Sequence, residues 1–139
     1  MLPILRFVHV IGLAVYFSAV LGAGSVLRLA HGRGEEGKPL DAAAHQLFRL
    51  GNAGLVFLLV SGVAGLMQLG IAETMKRPSV HIMLAGWVIG GALTGIASSR
   101  CKKLSLGTLA PTARAGISRL ALVQLVIALG TVAAGVWRF

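Results

Sequence analysis

Charged side chains and cysteine are scarce in this chain of 139 residues. Only 12% of its residues are charged, about half the share found in soluble domains, and only four are acidic. The single cysteine, Cys101, excludes an internal disulfide and a paired-cysteine site. We predict an ordinary reduced thiol in a cytoplasmic loop, and the alternative is a thiol whose pKa is lowered by its basic neighbours. Hydrophobic residues make up 56% of the chain, which favours an integral membrane protein.

The hydrophobic residues are arranged in long uncharged runs. The first, from Phe7 to Leu27, is longer than the signal-peptide core of about 7–15 residues and predicts a retained spanning helix. A helix rises about 1.5 Å per residue, so each run can cross the ~30 Å hydrocarbon layer. The predicted spans are residues 4–28, 48–72, 78–99 and 113–137. We therefore predict an all-α protein, a four-helix transmembrane bundle that forms one membrane domain over residues 1–139.

The formal net charge is +9, which in a soluble protein would point to nucleic acid. Here the basic residues lie in loops between apolar spans, so we predict contact with membrane lipid and no nucleic-acid partner. Of the thirteen lysines and arginines, four fall on one side of the membrane and the other nine on the opposite side. The four are Arg6, Lys76, Arg77 and Arg138. The positive-inside rule then places both termini on the periplasmic side of a bacterial inner membrane.

Polar residues near the span ends give further local predictions. Asp41 is a plausible N-cap for a helix that begins near Ala42. Arg114 and Arg119 fall in the first turns of the fourth span and are expected to reach the surface.

Glycine is abundant, with nineteen residues, and small residues four apart let membrane helices approach closely. Gly86/Gly90 and Gly91/Gly95 predict tight packing of the third span on two neighbours, and Ser61/Gly65 predicts a neighbour for the second. Such glycine-rich faces would also bind other membrane subunits.

Two histidines lie inside apolar spans, where a polar ring needs a partner or a ligand. His9 and His81 lie near the starts of the first and third spans, which run in the same direction, so both are expected at the outer mouth. Two imidazoles from facing helices can ligate one haem iron, and Arg6 and Arg77 at the same mouth would neutralise its propionates. The alternative is that each ring is solvated or bound to a backbone carbonyl.

Two short motifs resemble those of a known family. FVHVIG at residues 7–12, followed after the span by LRL at 27–29 and then His31, resembles the first helix of HemJ-type proteins. These small membrane proteins are related to the CopD copper-resistance family. SVHIMLA at residues 79–85 resembles the third-helix motif of that family, in which a lysine usually stands two residues after the histidine.

The resemblance implies a haem b within the bundle and, for HemJ itself, oxidation of protoporphyrinogen IX. It implies that His9 is a haem ligand and that Arg28 is the arginine of the family. Met83 stands where the family has its lysine, which argues against the enzymatic activity. A CopD-like copper site would need more methionine or histidine ligands near the outer mouth than Met75, Met83, His9 and His81 provide.

The leading hypothesis is a b-type haem-binding membrane protein that transfers electrons, with a quinol or another membrane partner as donor. Its axial ligands would be His9 and His81, and its further cofactor-binding residues would be Arg6, Arg77 and Arg28. One alternative is a HemJ-like protoporphyrinogen IX oxidase. The other is a non-catalytic accessory subunit of a larger membrane complex. No catalytic residue is assigned.

Overall fold

The structure, a computed structural model, describes residues 2–136 and contains no strand within them. Its helices are α1 (Leu2–Ala30), α2 (Lys38–Leu69), the single turn α3 (Ile71–Thr74), α4 (Pro78–Ser105) and α5 (Ala113–Val136), with a 3-10 turn at Gly34–Gly37. The four long helices are each long and apolar enough to cross a membrane. The prediction of an all-α protein with four spanning helices is therefore confirmed.

Helix bounds differ from the predicted spans where polar residues continue a helix beyond its apolar part. The second helix begins at Lys38, with Pro39 in its first turn, so Asp41 lies inside the helix and does not cap it. The third continues through the stretch predicted as a loop and ends at Ser105, with Lys102 and Lys103 favourably placed in its last turn. Residues 137–139, which include the predicted end of the fourth span, lie outside the described residues.

The long helices form a closed ring in which each packs on two others. Both α1 and α4 pack against α2 and against α5. The segments 31–37 and 106–112 lie at one end of the ring, and the segment 70–77 lies at the other. We call these the inner and outer ends, following the predicted orientation.

The closest approach of two helices occurs where α1 crosses α2. A Cβ atom added at Gly54 would lie 2.8 Å from both the Gly12 carbonyl oxygen and the Tyr16 nitrogen. Because those atoms belong to the backbone of α1, no side chain larger than hydrogen fits between the helices.

The glycines of α4 divide into a packed pair and a partly open pair. Gly86 contacts Thr131 of α5, and a Cβ at Gly90 would lie 3.2 Å from the Tyr16 hydroxyl of α1, as the first pair predicts. Gly95 has no neighbour within 4 Å of its Cβ position, and neither has Gly65 of α2, so those two predicted contacts are not made.

The buried apolar side chains concentrate in the inner half of the bundle. They include Val20, Ala23, Leu27, Ala44, Phe48, Ala97, Cys101, Leu104, Ile117 and Ala121. Cys101 is fully buried within α4, so its prediction as a loop thiol is wrong. The outer half has no comparable cluster among the described residues, which leaves space between the helices there.

An ion pair that the sequence did not predict closes the inner end. The Arg114 Nε and Nη2 atoms donate to the two Asp41 carboxylate oxygens at 2.8 and 2.7 Å, and Nη1 donates to the Ala30 carbonyl at 3.2 Å. Both charged side chains are buried, so the prediction that Arg114 reaches the surface is wrong. The bidentate geometry ties α5 to α2 and to the end of α1.

Candidate functional site

A cavity of about 380 Å³ occupies the outer half of the bundle between all four long helices. Leucine, valine and glycine residues form most of its wall, and among residues 2–136 no lysine, arginine, aspartate or glutamate lines it. The polar residues that line it are His9, Tyr16, Trp87, Gln124 and Thr131. A cavity of this character suits an apolar ligand held by a few polar contacts.

The cavity opens sideways between α2 and α4. Val63 of α2 and Leu84 of α4 both line it, yet they are 44% and 36% exposed on the outside of the bundle. In a membrane this opening faces the lipid, so a membrane-soluble ligand can enter without crossing water.

His9 is half-buried on the cavity wall, and its ring is oriented by α2. Its Nδ1 atom lies 2.9 Å from Ser61 Oγ, and the Ser61 hydroxyl lies 2.7 Å from the Phe57 carbonyl oxygen. Because the hydroxyl has one proton and donates it to the carbonyl, it accepts a hydrogen bond from His9 Nδ1–H. The unprotonated nitrogen is then Nε2, which is the tautomer a metal-ligating histidine uses.

His81 does not share this cavity. It is exposed, and its Nδ1 lies 3.3 Å from the Arg77 carbonyl oxygen one turn earlier in the chain. Met83, two residues further on, lines the cavity. Successive residues turn about 100° around a helix, so positions 81 and 83 face nearly opposite ways. The structure therefore brings His9 together with Met83 and leaves His81 outside.

The predicted cofactor-binding arginines lie at two different ends. Arg6 and Arg77 are exposed at the outer end, and neither lines the cavity. Arg28 lies nineteen residues after His9 on the same helix, about 28 Å away along its axis. Arg28 therefore cannot contact a ligand that His9 holds.

Gln124 is a polar residue of the cavity that sequence reasoning missed. It is 1% exposed, and neither its amide nitrogen nor its amide oxygen has a hydrogen-bond partner within residues 2–136. Gly24, fifteen residues after His9, packs against Ala121, three residues before Gln124, so Gln124 lies about 18 Å deeper than His9. A glutamine in the middle of the apolar run 120–137 was the available signal.

An unsatisfied buried amide costs on the order of 1–3 kcal/mol, so this position is unfavourable unless something binds there. The deep end of the cavity thus has an unused donor and an unused acceptor, which water or a polar group of a ligand can satisfy.

His45, the histidine of α2, has a packing role. His45 Nδ1 lies 3.0 Å from the Ser98 carbonyl oxygen and 3.1 Å from its hydroxyl, which joins α2 to α4 in the inner half. Across residues 2–136 no group of three or more His, Cys, Asp or Glu side chains comes together as a metal site would require.

Comparisons of the chain with known protein families, with curated proteins and with solved structures found no match.

Proposed function

We propose that this chain is a b-type haem-binding protein of a bacterial inner membrane, with His9 as an axial ligand and electron transfer as its activity. The observation that carries the proposal is the His9 ring itself. Ser61 fixes its tautomer, and the ring lines a lipid-accessible apolar cavity. A histidine held in this way would present its second ring nitrogen to a metal centre.

The residues around the cavity fit a porphyrin in two respects. The walls are apolar and include Gly62, whose Cβ position has no described neighbour within 4 Å, so a flat ring can approach the backbone there. Arg6 and Arg77 are exposed at the outer end of the bundle, where they would neutralise the propionates. Gln124, at the deep end, contributes nothing to this fit, because the two propionates are the only polar groups on the edge of haem b.

Met83 takes the place of His81 as the second axial ligand in this proposal. It lines the same cavity from α4, whereas His81 is exposed. The motif resemblance agrees, because position 83 is the one at which HemJ-type proteins have a lysine. Histidine–methionine ligation raises the reduction potential of a haem relative to two histidines. The bound haem would supply one-electron chemistry, and the chain's own residues would orient it and exclude water from it.

The test is a visible spectrum and a pyridine haemochrome assay on the purified full chain after expression with added haem. We expect a Soret band that His9→Ala reduces by tenfold or more in haem content, an order of magnitude typical for loss of a metal-site residue. Met83→Ala should retain haem but change the spectrum towards a five-coordinate iron.

His81→Ala is the matched control, because it removes an imidazole at the same end of the bundle without touching the cavity. We expect it to leave the spectrum unchanged. Loss of haem in His81→Ala would support ligation by two histidines and would contradict the role given to Met83. A wild-type chain without any Soret band would contradict the haem proposal altogether.

A further inference from the structure

A second cavity, of about 330 Å³, lies at the inner end where the last turns of α1 meet the first turns of α5. Its lining residues are Leu27, Arg28, His31, Arg114, Ala115, Ser118 and Arg119. We call it the inner basic cleft. It belongs to the opposite end of the bundle from His9, so the proposed haem site does not account for it.

Two positive charges in the inner basic cleft have no counter-charge. Arg114 is neutralised by its bidentate pair with Asp41. Arg28 and Arg119 are exposed, no carboxylate lines the cleft, and neither arginine forms a salt bridge within the described residues.

Arg28 is nevertheless held in a defined position. Its Nε atom donates to Ser118 Oγ at 3.4 Å, and the Ser118 hydroxyl donates to the Gly24 carbonyl oxygen at 3.3 Å. These bonds join α1 to α5 and use only one of the three guanidinium nitrogens. The two terminal nitrogens form no hydrogen bond within residues 2–136, so they remain able to bind a pair of anionic oxygens.

The helix that forms the other wall adds to the positive potential. Ala115, Ser118 and Arg119 lie in the first two turns of α5, a helix of 24 residues whose N-terminal end carries a partial positive charge. Groups with anionic oxygen atoms, such as phosphate, are stabilised at such an end, particularly beside guanidinium groups.

The surroundings point to a lipid as the source of the anion. Leu21, two turns before Arg28, and Leu122, about one turn after Arg119, are 59% and 51% exposed, so apolar surface continues from the basic residues towards the membrane. Basic pockets between spanning helices on the cytoplasmic side are known to bind phosphate-bearing lipid headgroups.

We propose that the inner basic cleft is a specific site for the phosphate of an anionic membrane lipid, bound by Arg28 and Arg119. The phosphate oxygens would accept from the free nitrogens of Arg28 and from the Arg119 guanidinium. The acyl chains would lie along the exposed leucines.

The test is native mass spectrometry and thermal unfolding of the full chain in detergent, titrated with phosphatidylglycerol, phosphatidylcholine or inorganic phosphate. We expect phosphatidylglycerol to remain bound and to raise Tm, and the other two to have little effect. Arg28→Gln and Arg119→Gln should each weaken its binding about tenfold, as expected for loss of a charge-assisted phosphate contact. Arg28→Lys, which keeps the charge, should weaken it less.

Arg49→Gln is the matched control, because Arg49 is an exposed arginine of α2 outside the cleft, bonded to Gln46 at 3.3 Å. An equal loss in Arg49→Gln would show that binding follows net charge only and would overturn the site. Equal binding of phosphatidylcholine, whose phosphate is balanced by its own choline cation, would overturn the preference for an anionic lipid. Stabilisation by inorganic phosphate as strong as that by lipid would overturn the lipid source.

Discussion

Among single residues, the two partners of the buried Asp41–Arg114 ion pair are expected to contribute strongly to the stability of the bundle. Both side chains are fully buried, so removing either leaves an uncompensated charge in a low-dielectric environment. We expect Asp41→Ala to lower the free energy of unfolding by about 3–5 kcal/mol. Chemical denaturation in detergent micelles would measure it.

The matched control for that prediction is the exposed pair of Lys38 with Glu35, one turn earlier in the chain. Glu35→Gln should change stability by less than about 1 kcal/mol, because solvent screens an exposed pair. Equal effects of the two substitutions would show that burial of Asp41 contributes nothing.

Ser61 offers a second test at the same scale. Its hydroxyl accepts the His9 Nδ1–H bond, so Ser61→Ala frees the ring to rotate and to change tautomer. If the haem proposal holds, we expect haem affinity to fall about 10- to 100-fold, as for other residues that orient a metal ligand. Haem titration of the apo chain would measure this. Ser25→Ala, which removes an exposed hydroxyl bonded only to its own helix, should have no effect.

The sequence could identify His9 as a residue of interest but could not choose between His81 and Met83. In α4 nearly every residue from Val80 to Gly95 is apolar or small, so the pattern does not show which face turns inward. Tertiary packing decides it, through contacts of Gly86 with Thr131 and of Gly90 with Tyr16. The Asp41–Arg114 pair was missed for a related reason, since its partners are far apart in the chain.

At the scale of elements, the crossing of α1 and α2 depends on glycine at one position in each helix. Gly54→Ala would place a methyl group 2.8 Å from backbone atoms of α1, and backbone cannot move aside as a side chain can. We expect the helices to separate and stability to fall by about 1–3 kcal/mol, the usual cost of overpacking. Thermal unfolding would measure the change.

Gly65→Ala in the same helix is the control, because nothing lies within 4 Å of its Cβ position. It should be neutral or slightly stabilising, since alanine favours helix over glycine by up to about 1 kcal/mol. A loss of stability at Gly65 similar to that at Gly54 would show that the crossing does not determine the result, because helix propensity favours alanine at both positions.

Hydropathy was sufficient to find the four long helices, because uncharged runs of this length have few other stable structures in a membrane. It was insufficient for their ends. The first turns of α2 and the last turns of α4 are polar, and they stay helical because they pack on one another outside the apolar spans, with His45 bonded to Ser98. Such contacts leave no trace in local composition.

At the scale of the whole molecule, the distribution of lysine and arginine predicts which end faces the cytoplasm. We expect Lys76→Cys, in a background with Cys101→Ser, to react with a membrane-impermeant maleimide on intact cells, because Lys76 is exposed at the outer end. Glu36→Cys, exposed at the inner end, should react only after the cells are opened. The reverse pattern would mean that the chain is inserted with the opposite orientation.

The uneven distribution of buried side chains along the bundle has a consequence for its motions. Opening a segment locally costs less where fewer apolar contacts are broken, so the two halves of one continuous helix should differ in protection. In α1, amide hydrogens from Ala19 to Ala30 should exchange with deuterium much more slowly than those from Ile4 to Ile11. The bundle would then be rigid at its inner end and open transiently at its outer end, where a ligand would bind and dissociate.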